Sequence, residues 1–278
     1  MKTLSVLSTI IFFLYLSSLS LTAQTASLTD KIYFLNLFVD TEHDSWDSDE
    51  IEAFFEKFEE SLIWIEDQAY TYSKEVAFDN DYFFFDNQET VYLEEVERGY
   101  GAIQLIQDVL YDRGYNSLEH FLDRNRFEEP LSKLKIILFV KSKGRSHANN
   151  HLRIENVDIA IVYYQRRSGT PTDKYVMAHE ILHLFGAWDL YYGKRQTKAT
   201  AAKAKELFPK SIMIGHYSPR SSMEVDELTA WLIGWTEKHH PEYSQFNPRT
   251  NGAKAAFENR EKEPTSIKFN LGKKKKNE

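Results

Sequence analysis

The order of apolar and periodic segments predicts an α+β fold: a mixed, twisted sheet with helices packed against it. Three observations predict it. Lys31–Val39, Leu134–Val140 and Val157–Tyr164 are strongly apolar runs of strand length. A long amphipathic stretch and a second helical stretch lie between the first and second of these runs. A third helical pattern follows the last run. Strands and helices interleaved in this way pack as a sheet covered by helices.

The elements follow in chain order. Lys2 and the nearly unbroken apolar run Leu4–Leu21 lead into Thr22, Ala23 and Gln24. This is the layout of a secretory signal peptide over residues 1–23, cleaved on export. An uncleaved anchor is the competing reading, since the run is nearly long enough to span a bilayer. Residues 24–262 form the folded domain, and 263–278 a polar, basic tail containing Lys273–Lys276.

After strand Lys31–Val39, the acidic stretch Asp40–Glu50 lacks the central glycine and spacing of a calcium loop, so it reads as a loop with Asp47 or Ser48 capping a helix. Ile51, Phe54, Phe55, Phe58, Leu62 and Ile65 form that helix's apolar stripe. Val76–Leu93 holds strand-like pieces around the aromatic run Tyr82–Phe85. Gly101–Leu122 is helical, with a break near Gly114. Lys141–Asn156 reads as a polar loop between the last two strands.

Composition narrows the function. With 42 acidic against 34 basic residues and a net charge of -8, the chain does not look built to hold nucleic acid. There is no cysteine, so neither a disulfide nor a thiolate metal site can form.

Tyr175–Leu184 (YVMAHEILHL) carries the chemistry. His179 and His183 are four apart, so a helix places both imidazoles on one face, one turn apart. That suits two nitrogen ligands on one zinc ion, with Glu180 beside the metal as general base. Gly186 can end the helix in a left-handed conformation. The chain then turns back, so that Asp189 can serve as third ligand. Two histidines and one carboxylate leave a fourth position open to water, as in catalytic rather than structural zinc sites. The His-Glu-x-x-His string alone arises in roughly a few per cent of shuffled sequences. With Gly186 and Asp189 added at fixed places, the chance falls below about one in ten thousand.

The string His179–Asp189 (HEILHLFGAWD) resembles the zinc signature of the metzincin metallopeptidases. Most of these carry histidine as third ligand. Asp189 resembles the immune-inhibitor-A-like or snapalysin-like variant. The resemblance covers roughly Leu134–Trp235. It implies an N-terminal lobe of sheet and two helices ending near residue 186 with the active-site helix, then a smaller, mostly helical lobe. It also implies a methionine turn beneath the metal. Met213, in Ser211-Ile212-Met213-Ile214, fits that turn better than Met223 in its polar setting. Val225–Ile233 matches the expected C-terminal helix. Val157, Ile159, Ile161 and Tyr163 would lie on an edge strand above the cleft, able to pair with an extended peptide. Tyr217, or His216, would stabilise the oxyanion.

These readings describe a secreted or periplasmic zinc endopeptidase acting on a peptide or protein, with no stable membrane association once the signal is cleaved. Zinc acidifies a bound water and polarises the scissile carbonyl, while Glu180 takes the water proton and passes it to the leaving amine. A zinc-dependent amidase of cell-wall peptides and a zinc-stabilised binding protein are the alternatives. Glu180 argues against the last, because a structural site needs no base. His147 and His151 are also four apart, but read as exposed loop histidines rather than a second metal site.

Overall fold

A computed structural model of the chain describes residues 27–41, 44–85, 100–127, 129–154, 157–215 and 222–260. The proposed signal peptide, the basic tail, His43, His216 and Tyr217 lie outside the described residues.

Strand β1 (Asp30–Val39) leads to helix α1 (Ser48–Thr71) and strand β2 (Val76–Phe85). Helices α2 (Tyr100–Asp112) and α3 (Leu118–Arg124) follow, separated by a turn with Gly114 at φ 81°. Strands β3 (Leu134–Gly144), β4 (His147–Ile154) and β5 (Val157–Arg166) come next, then helix α4 (Lys174–Leu184). The C-terminal part holds α5 (Lys198–Leu207), a tight turn at Ile212–Ile214, α6 (Glu227–Leu232) and α7 (Pro248–Arg260). The predicted helix Val225–Ile233 is therefore shorter. Asp226 caps it through Thr229 N–H, and an acceptor at that position fixes where the helix begins.

The sheet has the order β2-β1-β3-β5-β4, with β4 antiparallel to β5 and the other neighbours parallel. Alternate side chains of each strand feed two clusters. Phe34, Phe38, Ile137, Phe139, Ala160 and Val162 face α1 and α4. Leu35, Leu37, Ile136, Leu138, Val157, Ile159, Ile161 and Tyr163 face α2 and α3. Cover on both faces explains the nearly continuous apolar runs of the parallel strands. At α1, Asp47 is the cap, and with Glu50 it forms a reciprocal capping box.

Two expectations are corrected. Lys141–Asn156 is not a loop, because β3 runs on to Gly144 and β4 occupies most of the rest. The edge strand is β4 and not β5. β5 is paired on both sides, and Val157, Ile159, Ile161 and Tyr163 are buried against the sheet's other layer, away from α4. Apolar content marked β5 as a strand, but it marks interior strands most strongly. An edge strand with a polar sequence gives no such signal.

Candidate metal centre

Helix α4 is fixed at both ends. Asp173 accepts hydrogen bonds from Tyr175 and Val176 N–H, and Arg166 Nη2 donates to the same carboxylate at 2.6 Å. At the other end Gly186 takes φ 102°. Its N–H donates to His183 O, and Ala187 N–H donates to Leu182 O, the paired bonds of a Schellman stop. Met177, Ala178, Ile181, Leu182 and Leu184 are buried in the core. That packing leaves His179 and His183 on the side facing the C-terminal part.

The two imidazole rings stand 4.7 Å apart and perpendicular, with their Nε2 atoms 3.1 Å apart. After the Gly186 turn, Asp189 Oδ1 lies 3.2 Å from His179 Nε2 and 3.1 Å from His183 Nε2. The far nitrogens are tied to backbone carbonyls: His179 Nδ1 to Ile212 O at 3.1 Å and His183 Nδ1 to Ala187 O at 2.8 Å. A carbonyl only accepts, so each Nδ1 carries a proton, and each Nε2 faces Asp189. Three donor atoms thus converge in a near-equilateral triangle. A tetrahedral ion with ligands at 2.0–2.1 Å would space them by roughly 3.3 Å. The donor set fits a divalent cation.

Electrostatics favour positive charge at this point. Burial opposes a charge on His183, but Asp189, its hydrogen bond and Glu180 outweigh that and push the imidazole up to about 9. Burial alone would raise Asp189; the two histidines instead hold its carboxyl well below the usual range. Glu180 is buried, and its carboxylate clusters with His179 and His183. Among the described residues this is the group of three side chains spaced to hold a metal ion.

The loop carrying Asp189 is latched from the C-terminal part. Gln196 Nε2 donates to Asp189 O at 3.0 Å and Phe246 O at 2.7 Å, and Asn251 Nδ2 donates to Gln196 Oε1 at 3.1 Å. Leu190 N–H donates to Met213 O at 2.9 Å. Met213 is fully buried in the Ile212–Ile214 turn, next to the carbonyl that holds His179. Ser211 Oγ accepts from Met213 N–H and donates to Asp226 Oδ2 at 2.5 Å; Asp226 also accepts from Thr229. A continuous chain of polar contacts therefore runs from the α6 cap to the His179 imidazole.

Sequence reasoning missed two residues at the centre. The Tyr191 ring lies along His179 at 6.2 Å with 29° between the planes. Arg145, from the β3–β4 turn, donates from Nη2 to the Tyr191 hydroxyl at 2.5 Å. Burial pushes the Tyr191 phenol up, with Asp189 adding to the effect and Arg145 opposing it. A place two residues beyond Asp189 was the only signal for Tyr191, and nothing local marked Arg145. His147 lies on β4, its Nδ1 contacting Arg145 O at 3.0 Å rather than a metal partner.

No family model matches the chain, and no curated protein matches it. Among solved structures, metalloproteinase-II from Bacteroides fragilis matches with a TM-score of 0.38 and 15% identity, over 77% of this chain and 55% of that one. The chain spans about half the length of that structure.

Proposed function

We propose that this chain is an exported zinc endopeptidase in which His179, His183 and Asp189 hold the ion and Glu180 is the general base. One observation carries the reading. Two histidine Nε2 atoms and a carboxylate oxygen converge within 3.2 Å, with a second, buried carboxylate beside them. Two imidazoles and one carboxylate are the donor types of an open catalytic zinc site.

Zinc held there supplies Lewis acidity, lowering the pKa of water and polarising a carbonyl. Glu180 takes the proton from the attacking water as the carbon–oxygen bond forms, then delivers it to the amine as the carbon–nitrogen bond breaks. The backbone carbonyls of Ile212 and Ala187 keep both imidazoles in the tautomer the site needs. Tyr191 takes the role of donor to the developing oxyanion, supported by its place along His179; Tyr217 is the alternative from sequence alone. β4, the outermost strand on its side of the sheet among the described residues, receives the extended peptide by strand addition. Met213, buried in the turn whose Ile212 carbonyl holds His179, serves as packing and not as a ligand.

Casein digestion by the purified protein, with and without chelator and zinc, tests the reading alongside Glu180→Ala. Zinc-dependent cleavage that falls at least about a hundredfold in Glu180→Ala is expected. Cleavage that survives chelation, or a fully active Glu180→Ala, overturns it. Cleavage of cell-wall peptides without casein moves the reading to an amidase. A folded, zinc-loaded, inert protein leaves a binding role. Export is tested separately by sequencing the mature N-terminus from culture medium, expected just after Ala23. Among the described residues, no helix is long and apolar enough to cross a membrane.

A further inference from the structure

Arg145 is an exposed side chain on the short turn between β3 and the edge strand β4, which begins two residues later. Its guanidinium approaches Tyr191 in two ways. Nη2 donates to the phenol oxygen at 2.5 Å, and the guanidinium carbon sits 5.7 Å from the ring centre. Among the described residues, no carboxylate lies within ion-pair distance of it. Its direct partner is the Tyr191 oxygen, with the Asp189 and Glu180 carboxylates favouring its charge at longer range, and holding a long exposed side chain in one rotamer costs entropy.

The contact does something else for Tyr191. A phenol oxygen has one proton to give and lone pairs to receive. With Arg145 donating to the oxygen, the single hydroxyl proton is left for a different acceptor on the other side of that oxygen. The ring itself is flanked by His179 and by Gly215, where an added Cβ would stand 3.8 Å from Tyr191 Cδ1. Packing therefore sets the ring plane, and Arg145 sets which way the hydroxyl points.

We propose that Arg145 is a positioning residue that orients the Tyr191 phenol beside the metal ligands, joining the oxyanion donor to the turn that begins the substrate-binding edge. Its catalytic consequence rests on the peptidase reading above; the orientation itself does not.

The test uses the full mature chain with ring-labelled tyrosine, its Tyr191 NMR resonance identified by its loss in Tyr191→Phe. Activity is read on a quenched-fluorescent peptide copied from a casein site that the wild-type protein cuts. Arg145→Ala is expected to shift the Tyr191 resonance in metal-free and zinc-loaded protein. It is also expected to lower kcat about tenfold, the loss of one charge-assisted hydrogen bond, with KM changed less than about twofold. Arg145→Lys recovers part of both. In a Tyr191→Phe background, Arg145→Ala should cost less than about twofold more. An unmoved resonance, or a cost that adds fully to Tyr191→Phe, overturns the proposal. A rise in KM confined to peptides with acidic groups also overturns it and makes Arg145 a substrate anchor. If the wild-type protein cuts no peptide, the peptidase reading fails, and the resonance alone decides the orientation.

Discussion

The sheet with its two apolar clusters and the polar latch around Asp189 are held by different physics. In the sheet, Phe139 packs on Phe38, Phe54 and Phe58 at ring distances of 4.7, 5.3 and 5.6 Å. Such burial is non-directional and spread over many neighbours. In the latch, Gln196, Ser211 and Asp226 each bridge two backbone or side-chain groups that have no substitute at hand. Losing one leaves a buried polar group unpaired. Stability should therefore sit with the sheet, and the geometry of the centre with the latch.

The comparison breaks most visibly at Phe139. Phe139→Ala should cost about 3–5 kcal/mol in thermal or denaturant unfolding, yet leave zinc affinity of the folded protein unchanged. A parallel loss of affinity would mean that the two regions are not separable.

Asp189→Asn should do the reverse, cutting zinc affinity by at least about a hundredfold in equilibrium dialysis. The same variant sharpens the electrostatics. His183 is raised from 6.5 to about 9, so its pairing with Asp189 stabilises metal-free protein fully below 6.5 and is lost as pH rises through about 9. Asp189 is lowered from 3.8, so the pairing also fades as pH falls below 3.8. Metal-free wild type should unfold more readily above pH ~9 than near neutrality, and Asp189→Asn should flatten that dependence. A flat wild-type profile would show that the pair forms only around metal.

Gln196→Ala should affect both regions, with about 1–3 kcal/mol lost in unfolding and about tenfold in zinc affinity. An effect on stability alone would remove Gln196 from the latch. The smallest change is expected at Asp226→Asn, under about 1 kcal/mol by calorimetry. Burial already pushes this carboxyl up, the amide keeps an acceptor for Thr229 N–H, and the Ser211 and Thr229 hydroxyls that donate to Oδ2 can rotate to accept from the new amide N–H groups. A loss of several kcal/mol there would show that the charge itself holds the Ile212–Ile214 turn.

The same division explains what was legible in the chain. The helix of α1, its Asp47 cap, the break at Gly114 and strands β1, β3 and β5 all follow from periodicity and local backbone preference. β4 was missed because its polar residues carry no apolar run. Calling β5 the edge failed because strand order depends on pairing between distant segments. α5 and α7 were missed too, since Lys198–Leu207 and Pro248–Arg260 bury few residues and show little amphipathic pattern. Tyr217 lies outside the described residues, and Tyr191 came to the centre only through the loop's course.

By itself, the sequence determined the local part of the centre. An i, i+4 spacing puts two imidazoles on one helical face, and Gly186 stops the helix, because both depend on a few adjacent dihedrals. Tertiary structure alone decided which carbonyls accept from the far nitrogens, which strand lies outermost in the sheet among the described residues, and that Arg145 meets Tyr191 across 46 residues of chain. Those contacts are set by how whole elements pack, and no short window of residues encodes them.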